Sequence, residues 1–306
     1  MMPAYDGRMQ SHVNANGLRI AVDDQGPRGA PALLMIMGLG MQLIAWPQGL
    51  VDALTARDLR VVRFDNRDIG LSQHLDHLGL PHVGWASFKH LLHLPVRSPY
   101  SLADMARDAL GVMDALDLRR AHVWGASMGG MIAQHLVDQA PERVQSLTLM
   151  MTTAGARHLP GPTWPVRQAL LARPPRRDEA TLQAHFAALY RLIGSPAYPP
   201  APGWREARVL EALRRSDHPQ GMLRQLMAVV ADGDRTPLVT RVRAPALVIH
   251  GEADPLVPVA AGRHLARHLL HVETDFIPGM GHDLPEALWP RYADRVAALV
   301  HGAGAA

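Results

Sequence analysis

Residues 121–136 read AHVWGASMGGMIAQHL, and this stretch decides the fold. A short run with apolar Val123 and Trp124 leads into Gly-x-Ser-x-Gly and then directly into a helix-compatible segment. A strand, a sharp turn and a helix in that order form a nucleophile elbow, which holds its serine in strained backbone geometry. Glycines on either side of the serine allow the strand and helix to approach closely. The pattern predicts Ser127 as a nucleophile, although an isolated motif of this kind is also compatible with a plain tight turn.

Composition narrows the class of protein. The chain has 306 residues, of which 48% are hydrophobic, so it can bury the core of one domain with an insertion, or of two domains. The formal net charge is +3 and no run of five like charges occurs, which argues against a nucleic-acid partner. Cysteine is absent, which excludes disulfides, thiolate chemistry and sulfur-ligated zinc. Without a signal-peptide pattern or an apolar run near ~20 residues, we expect a cytoplasmic protein with no membrane span. The oligomeric state is left open.

Apolar runs alternate with helical patterns along the chain. An Asn16-Gly17 turn predicts a hairpin over residues 11–24. Beside the run before Ser127, a continuous apolar segment at 32–37 predicts a strand buried on both faces. Further buried strands are predicted at 144–150 and 246–250, and two more strands at 60–64 and 272–277. Helical spacing occurs at 48–57, 102–116 and 285–300. This alternation predicts the α/β class, with a mostly parallel central sheet flanked by helices.

Residues 153–235 differ from the rest of the chain. Prolines interrupt several helical segments there, and no good strand candidate occurs. We therefore predict a core formed by residues 1–152 and 236–306, with 153–235 inserted as a helical cap or lid over the carboxyl edge of the sheet, where ligands bind in open α/β folds. A helical subdomain with only a packing role fits the same pattern.

Two later loops supply partners for the serine. A serine hydroxyl needs a base, and the base needs an anion that orients it. In this strand–elbow–helix context the partners follow in the order Ser, Asp or Glu, His, from loops at strand ends. Asp254 is the predicted acid in the loop after strand 246–250, with Glu252 as the rival two residues earlier. His282 is the predicted base, in a Gly-x-Gly-His turn that follows the last strand.

The oxyanion of such a reaction needs two backbone N–H donors, one from the residue after the nucleophile and one from the loop after the third strand. Met128 and Leu39 are the predicted donors. The same region predicts an apolar substrate pocket that includes Met41 and Trp46.

Other patterns do not predict a metal or a cofactor. His264 and His268 are one helical turn apart, but no zinc-protease glutamate lies between them, so we expect a solvated helix face. His90 and His93 are equally unconvincing as ligands. Gly38 and Gly40 do not form a dinucleotide-binding motif, because Leu43 stands where the third glycine of that motif is required.

Taken together, the elbow, the acid loop, the base loop and the segment 65–72 (DNRDIGLS) resemble the α/β-hydrolase family over nearly the whole chain. Residues 37–40 (MGLG) and 65–70 are similar to those of bacterial carboxylesterases related to aclacinomycin methylesterase. Met37 departs from the histidine that many members have before the oxyanion glycine. The resemblance implies that the charged residues of segment 65–72 brace loops around the site, and it covers esterases, lactonases, cofactor-free peroxidases, C–C hydrolases and acyltransferases.

The function expected from these residues is hydrolysis of carboxylic esters with small to medium acyl or alcohol groups, through an acyl-enzyme on Ser127. A small-molecule ester is then the only partner required, and activity should fall as the pH drops through ~6.5, the ordinary pKa of a histidine side chain. A perhydrolase or lactonase using the same triad is the alternative. A catalytically silent binding protein is a further alternative.

Overall fold

A computed structural model of the chain describes residues 11–80 and 96–303. Within them, eight strands form one sheet: β1 (Ser11–Ala15), β2 (Leu18–Gln25), β3 (Ala32–Ile36), β4 (Arg60–Phe64), β5 (Ala121–Ala126), β6 (Val144–Met150), β7 (Ala246–Gly251) and β8 (Val272–Ile277). The α-helices of the described part are α1 (Gln48–Thr55), α2 (Leu102–Ala115), α3 (Met128–Gln139), α4 (Trp164–Leu171), α5 (Glu179–Ile193), α6 (Trp204–Arg215), α7 (Pro219–Ala231), α8 (Thr236–Val239), α9 (Ala260–His268) and α10 (Trp289–Ala303). His90 and His93 lie outside the described residues.

The sheet is mostly parallel, as predicted. Its strand order is β1-β2-β4-β3-β5-β6-β7-β8. β1 pairs with β2, and β2 with β4, in antiparallel fashion, while all other neighbouring pairs are parallel. The β1–β2 turn uses Asn16 and Gly17 at φ 53° and 75°, the two positive values that a type I′ hairpin turn requires.

Two hydrophobic clusters cover the two faces of the sheet. Leu34 of β3 belongs to the cluster that contains the apolar faces of α2 and α3. Leu33, its neighbour in β3, belongs to the other cluster, which contains those of α1 and α10. Successive strand residues point to opposite faces, so a strand covered on both sides must be apolar throughout. All five residues of β3 are buried, which explains the continuous apolar runs in the sequence.

Residues 153–235, all of which the structure describes, contain helices α4 to α7 and no strand. They lie in sequence between β6 and β7, which are neighbours in the sheet. None of the described helices is long and apolar enough to cross a membrane.

Candidate active site

Ser127 stands at the turn between β5 and α3 with φ 54° and ψ −120°, a conformation that is costly for a residue with a side chain. Its surroundings hold it there. The Ser127 N–H donates to the carbonyl oxygen of Met150 at 2.9 Å, and its own carbonyl oxygen accepts from Thr152 Oγ1 at 2.6 Å. The predicted elbow is therefore present as a backbone feature.

The two motif glycines permit this turn because no side chain fits at either position. A Cβ on Gly129 would lie 1.9 Å from the carbonyl oxygen of Ile36, at the end of β3. A Cβ on Gly125 would lie 2.3 Å from the carbonyl oxygen of Gly129. Helix α3 thus begins in direct backbone contact with the end of β3.

Ser127, His282 and Asp254 form one chain of hydrogen bonds. His282 Nδ1 lies 2.7 Å from Asp254 Oδ2, and His282 Nε2 lies 3.1 Å from Ser127 Oγ. A carboxylate only accepts, so Nδ1 carries the proton and the lone pair of Nε2 faces the serine hydroxyl. The His282 side chain is 8% exposed and that of Asp254 is 0% exposed. This arrangement can remove a proton from Ser127 and stabilise the resulting imidazolium.

The acid loop holds the Asp254 carboxylate in place and separates it from its rival. Asp254 Oδ1 accepts from the backbone N–H groups of Leu256 at 2.9 Å and Val257 at 2.8 Å. Glu252 instead forms an exposed ion pair with Arg263 at 3.0 Å. The structure therefore brings Asp254, and not Glu252, to the histidine.

A second histidine, His250, also contacts the loop that carries Asp254. Its Nε2 lies 2.7 Å from the carbonyl oxygen of Val257 and 3.6 Å from Asp254 Oδ2. Because a carbonyl accepts, Nε2 carries the proton, and the buried Nδ1 has no partner among the described residues. Burial lowers the pKa of His250, which favours the neutral imidazole.

The predicted oxyanion donors flank Ser127. A Cβ on Gly38 would lie 3.1 Å from the Cβ of Ser127, so the segment that carries Leu39 runs directly beside the serine. Within the described residues, the backbone N–H groups of Leu39 and Met128 donate to no protein acceptor. Both groups therefore remain candidates for the oxyanion donors.

The two predicted pocket residues have different environments. Met41 is partly buried and its sulfur accepts a hydrogen bond from Tyr190 of α5 at 3.2 Å. Trp46 is fully buried and its ring packs 5.0 Å from that of Trp124. Trp46 thus belongs to the core on the α1 and α10 face, and we do not retain it as a pocket residue. Tertiary packing turns its indole toward Trp124 of β5.

Segment 65–72 braces loops, as the family resemblance implies. Asp65 accepts from the backbone N–H groups of Leu43 at 2.6 Å and Leu71 at 2.8 Å. Arg67 donates twice to the buried carboxylate of Asp108, at 2.5 and 2.7 Å. The side chains of Asp65 and Arg67 therefore bind structural partners within the protein.

The same segment fixes the helices of residues 153–235 to the sheet. Arg215 of α6 donates to Asp65 at 2.7 Å, and Arg224 of α7 donates to both oxygens of Asp68 at 2.6 and 2.7 Å. Burial would raise the pKa of Asp68, but the hydrogen bonds from Arg224 and from the Leu75 N–H outweigh it, so the pKa is lowered. Sequence reasoning missed these two arginines because no local motif marks them.

The expectation of a solvated face at His264 is wrong. His264 is 3% exposed, and its Nε2 lies 2.9 Å from Thr236 Oγ1 of α8. Its ring centroid is 4.2 Å from that of His268. Burial lowers the pKa of His264, because α9 packs this side against α8 instead of exposing it.

A cavity of about 650 Å³ lies far from these groups. It is lined by residues at the starts of parallel strands, among them Ala32, Arg60 and His122. Ser127 follows the end of a strand, so the cavity occupies the opposite edge of the sheet and is not part of the candidate site.

The sequence pattern of the alpha/beta hydrolase fold family matches residues 31–286. The chain belongs to this family. One α/β-hydrolase relative is rhodomycin D methylesterase DnrP from Streptomyces peucetius, which is 29% identical over 297 residues that cover 90% of this chain and 93% of the relative.

Solved structures of α/β hydrolases match the fold over almost the whole chain. The S103A mutant of the meta-cleavage product hydrolase CumD from Pseudomonas fluorescens IP01 has a TM-score of 0.74 at 18% identity, and covers 96% of this chain and 98% of its own. The enol-lactonase from Burkholderia xenovorans LB400 has a TM-score of 0.71 at 23% identity, with 97% and 100% coverage. The family match and the similarity to these relatives identify this chain as a hydrolase.

Proposed function

We propose that this chain is a serine hydrolase that cleaves carboxylic esters of small to medium size through an acyl-enzyme on Ser127. The observation that carries the proposal is the continuous chain of hydrogen bonds from Asp254 through His282 to Ser127. The similarity to a methylesterase over 90% of the chain supports an ester as the substrate.

In the first half of the reaction, Ser127 Oγ attacks the ester carbonyl carbon while His282 Nε2 takes the hydroxyl proton. The negative charge that develops on the carbonyl oxygen is stabilised by the backbone N–H groups of Leu39 and Met128. Asp254 stabilises the imidazolium. The tetrahedral intermediate then collapses, His282 returns the proton to the leaving alcohol, and Ser127 keeps the acyl group.

In the second half, water replaces the alcohol. His282 takes a proton from the water as it attacks the acyl-enzyme carbonyl, and the same two N–H groups bind the second oxyanion. Collapse releases the carboxylic acid and returns the proton to Ser127. No cofactor or metal enters either half-reaction, and every step uses groups already in hydrogen-bonded contact or free to bind substrate.

The wall of the proposed pocket is apolar. Leu39 and Met41 belong to the turn beside Ser127, and Met222 of α7 packs against Gly40 of the same turn, since a Cβ on that glycine would lie 2.7 Å from the Met222 Cγ. An apolar wall of flexible methionines suits an acyl or alcohol group of low polarity. A lactone is a cyclic ester and would follow the same steps.

The test is turnover of p-nitrophenyl esters from acetate to decanoate by the wild-type chain, Ser127→Ala and the control Ser11→Ala, whose exposed serine lies at the start of β1. We expect turnover by the wild type and the control, and none above background by Ser127→Ala. Equal turnover by the wild type and both variants would overturn the assignment. A matched series of lactones establishes whether the ring-opening reaction is preferred.

A further inference from the structure

A glutamine of the cap region contacts the segment that carries the proposed oxyanion donor. Gln225 lies on α7 and is fully buried. Its Oε1 accepts from the backbone N–H of Gly40 at 2.9 Å, and its Nε2 donates to the carbonyl oxygen of Arg67 at 2.8 Å. An N–H needs an acceptor and a carbonyl needs a donor, so the two partners fix the orientation of the amide. Both of these hydrogen bonds join the side chain to loops beside Ser127.

The contacted segment is a tight turn. The Met41 N–H donates to the carbonyl oxygen of Gly38 at 3.2 Å, and Gly40 has φ 68°, as expected for the third residue of a type II turn. The Gly38 carbonyl and the Leu39 N–H belong to one planar peptide unit and point in opposite directions. The bond from Met41 therefore directs the Leu39 N–H away from the turn.

The next peptide unit has no partner within the turn. It joins Leu39 to Gly40, and its N–H is the group that Gln225 holds. Two successive peptide planes thus flank the Cα of Leu39: the turn itself fixes the first, and the cap glutamine fixes the second. Rotation of the second plane alone would leave the Leu39 N–H, which lies in the first plane, in place. The bond from Gly40 to Gln225 instead anchors the turn as a whole, and with it the first plane and the Leu39 N–H, beside Ser127.

The glutamine is itself rigidly held. Its far partner, Arg67, is held by a double hydrogen bond to buried Asp108, and Met222, one turn earlier on α7, packs against Gly40. Helix α7 therefore packs against the turn through Met222 and hydrogen-bonds to it through Gln225. This contact joins residues 153–235 to the reaction centre through hydrogen bonds as well as through packing.

We propose that Gln225 is a positioning residue that holds the Leu39 N–H in the direction required to stabilise the oxyanion, so that docking of α7 on the sheet completes the oxyanion hole. This inference rests on the proposed ester hydrolysis. Gln225 touches neither substrate nor the reacting atoms, and it acts only through the turn. Its loss should slow the chemical step more than it weakens substrate binding.

The test compares Gln225→Met, which keeps the length of the side chain and removes both hydrogen bonds, with Gln183→Met. Gln183 is a partly buried glutamine of α5 that donates to the Glu206 carbonyl at 2.9 Å, within the cap region and away from the turn. We expect Gln225→Met to lower kcat by about 10- to 100-fold, less than the 10²–10³-fold that follows loss of an oxyanion donor itself. KM should stay within about twofold in both variants, and Gln183→Met should keep its kcat.

Two further measurements separate positioning from general damage. A trifluoromethyl ketone forms a tetrahedral oxyanion on a serine nucleophile, so its inhibition constant should rise by the same factor by which kcat/KM falls. The midpoint of the pH profile of kcat/KM should be unchanged, because the contacts between His282 and Asp254 are not altered. If Gln225→Met shows no cooperative thermal transition, Gln225→Asn, which keeps the amide but shortens its reach, is measured instead with the same expectations.

A kcat within twofold of the wild type, an unchanged inhibition constant, or an equal loss in Gln183→Met would overturn the positioning role. The two proposals fail in different ways. A wild-type chain that turns over no ester contradicts the proposed function, whereas an active wild type with an equally active Gln225 variant contradicts only the role of Gln225.

Discussion

Backbone strain at Ser127 gives a prediction about stability that is independent of turnover. The residue has φ 54° and ψ −120°, a region that glycine adopts readily and other residues do not. Replacing Ser127 with alanine removes the hydroxyl and its hydrogen bond to His282 but keeps the Cβ and the strain. Replacing it with glycine removes the same hydrogen bond and the strain together. The difference between the two variants therefore isolates the strain.

The size of this difference follows from two opposing contributions. A residue held in a sparsely populated backbone conformation costs about 1–3 kcal/mol. Glycine adds freedom to the unfolded chain, which costs about 0.4–1 kcal/mol relative to alanine. We therefore expect Ser127→Gly to be more stable than Ser127→Ala by about 1 kcal/mol, although both are inactive.

The assay is urea unfolding followed by circular dichroism, with the free energy of unfolding extrapolated to water. The control is Ala207→Gly, on the exposed side of α6, where glycine should cost about 1 kcal/mol in the ordinary direction. The prediction is thus an opposite sign at the two positions. A glycine at position 127 that destabilises as it does at position 207 would refute the claim that the elbow stores strain.

Three other changes test separate parts of the structure. Asp254→Asn should lower kcat for a p-nitrophenyl ester by about 10⁴-fold, because an amide favours the wrong imidazole tautomer, whereas Glu252→Gln should leave kcat within twofold; equal losses would contradict the choice of acid. Burial lowers the pKa of His122 to about 4, so between pH 6.5 and 4 the unfolded chain gains a proton that the folded chain does not, and the free energy of unfolding in urea should fall by about 3 kcal/mol over this range. His122→Gln should remove that part of the pH dependence. An unchanged dependence of the free energy of unfolding on pH in this variant would exclude this histidine. Arg224→Met leaves the Asp68 carboxylate buried without its charge partner and should reduce the free energy of unfolding by about 3–5 kcal/mol at pH 7. The ion pair stabilises the fold above about pH 4 and loses its contribution as the pH falls through the lowered pKa of Asp68, so the difference in stability between wild type and variant should shrink near pH 3. An equal difference at both pH values would contradict this account.

The parts of the site that sequence predicts are those encoded locally. Ser127 lies in a motif whose glycines have a steric reason, and Asp254 and His282 lie in the loops that follow strands β7 and β8. Because parallel strands end at one edge of a sheet, loops distant in sequence must meet there. The apolar runs and the Asn-Gly turn predict the strands for equally local reasons, namely burial on both faces and a positive φ.

The features that sequence reasoning missed depend on distant contacts. Trp46, which precedes α1, packs against Trp124 of β5 only because both side chains join the same hydrophobic cluster on one face of the sheet. His264 is buried by a short helix whose position follows from the whole fold. Gln225 has no motif around it, and its role depends on where α7 docks. Helical amphipathicity shows that such a helix packs, but it does not show against which loop.

The central claim is that Ser127 is a nucleophile activated by His282 and Asp254, and covalent labelling tests it most directly. The folded chain is treated with a fluorophosphonate probe, its intact mass is measured, and the modified peptide is sequenced by tandem mass spectrometry, with Ser127→Ala in parallel. We predict one adduct per chain, located on Ser127 and absent from Ser127→Ala. A folded chain that takes up no probe, or one labelled equally in the alanine variant, would contradict the claim.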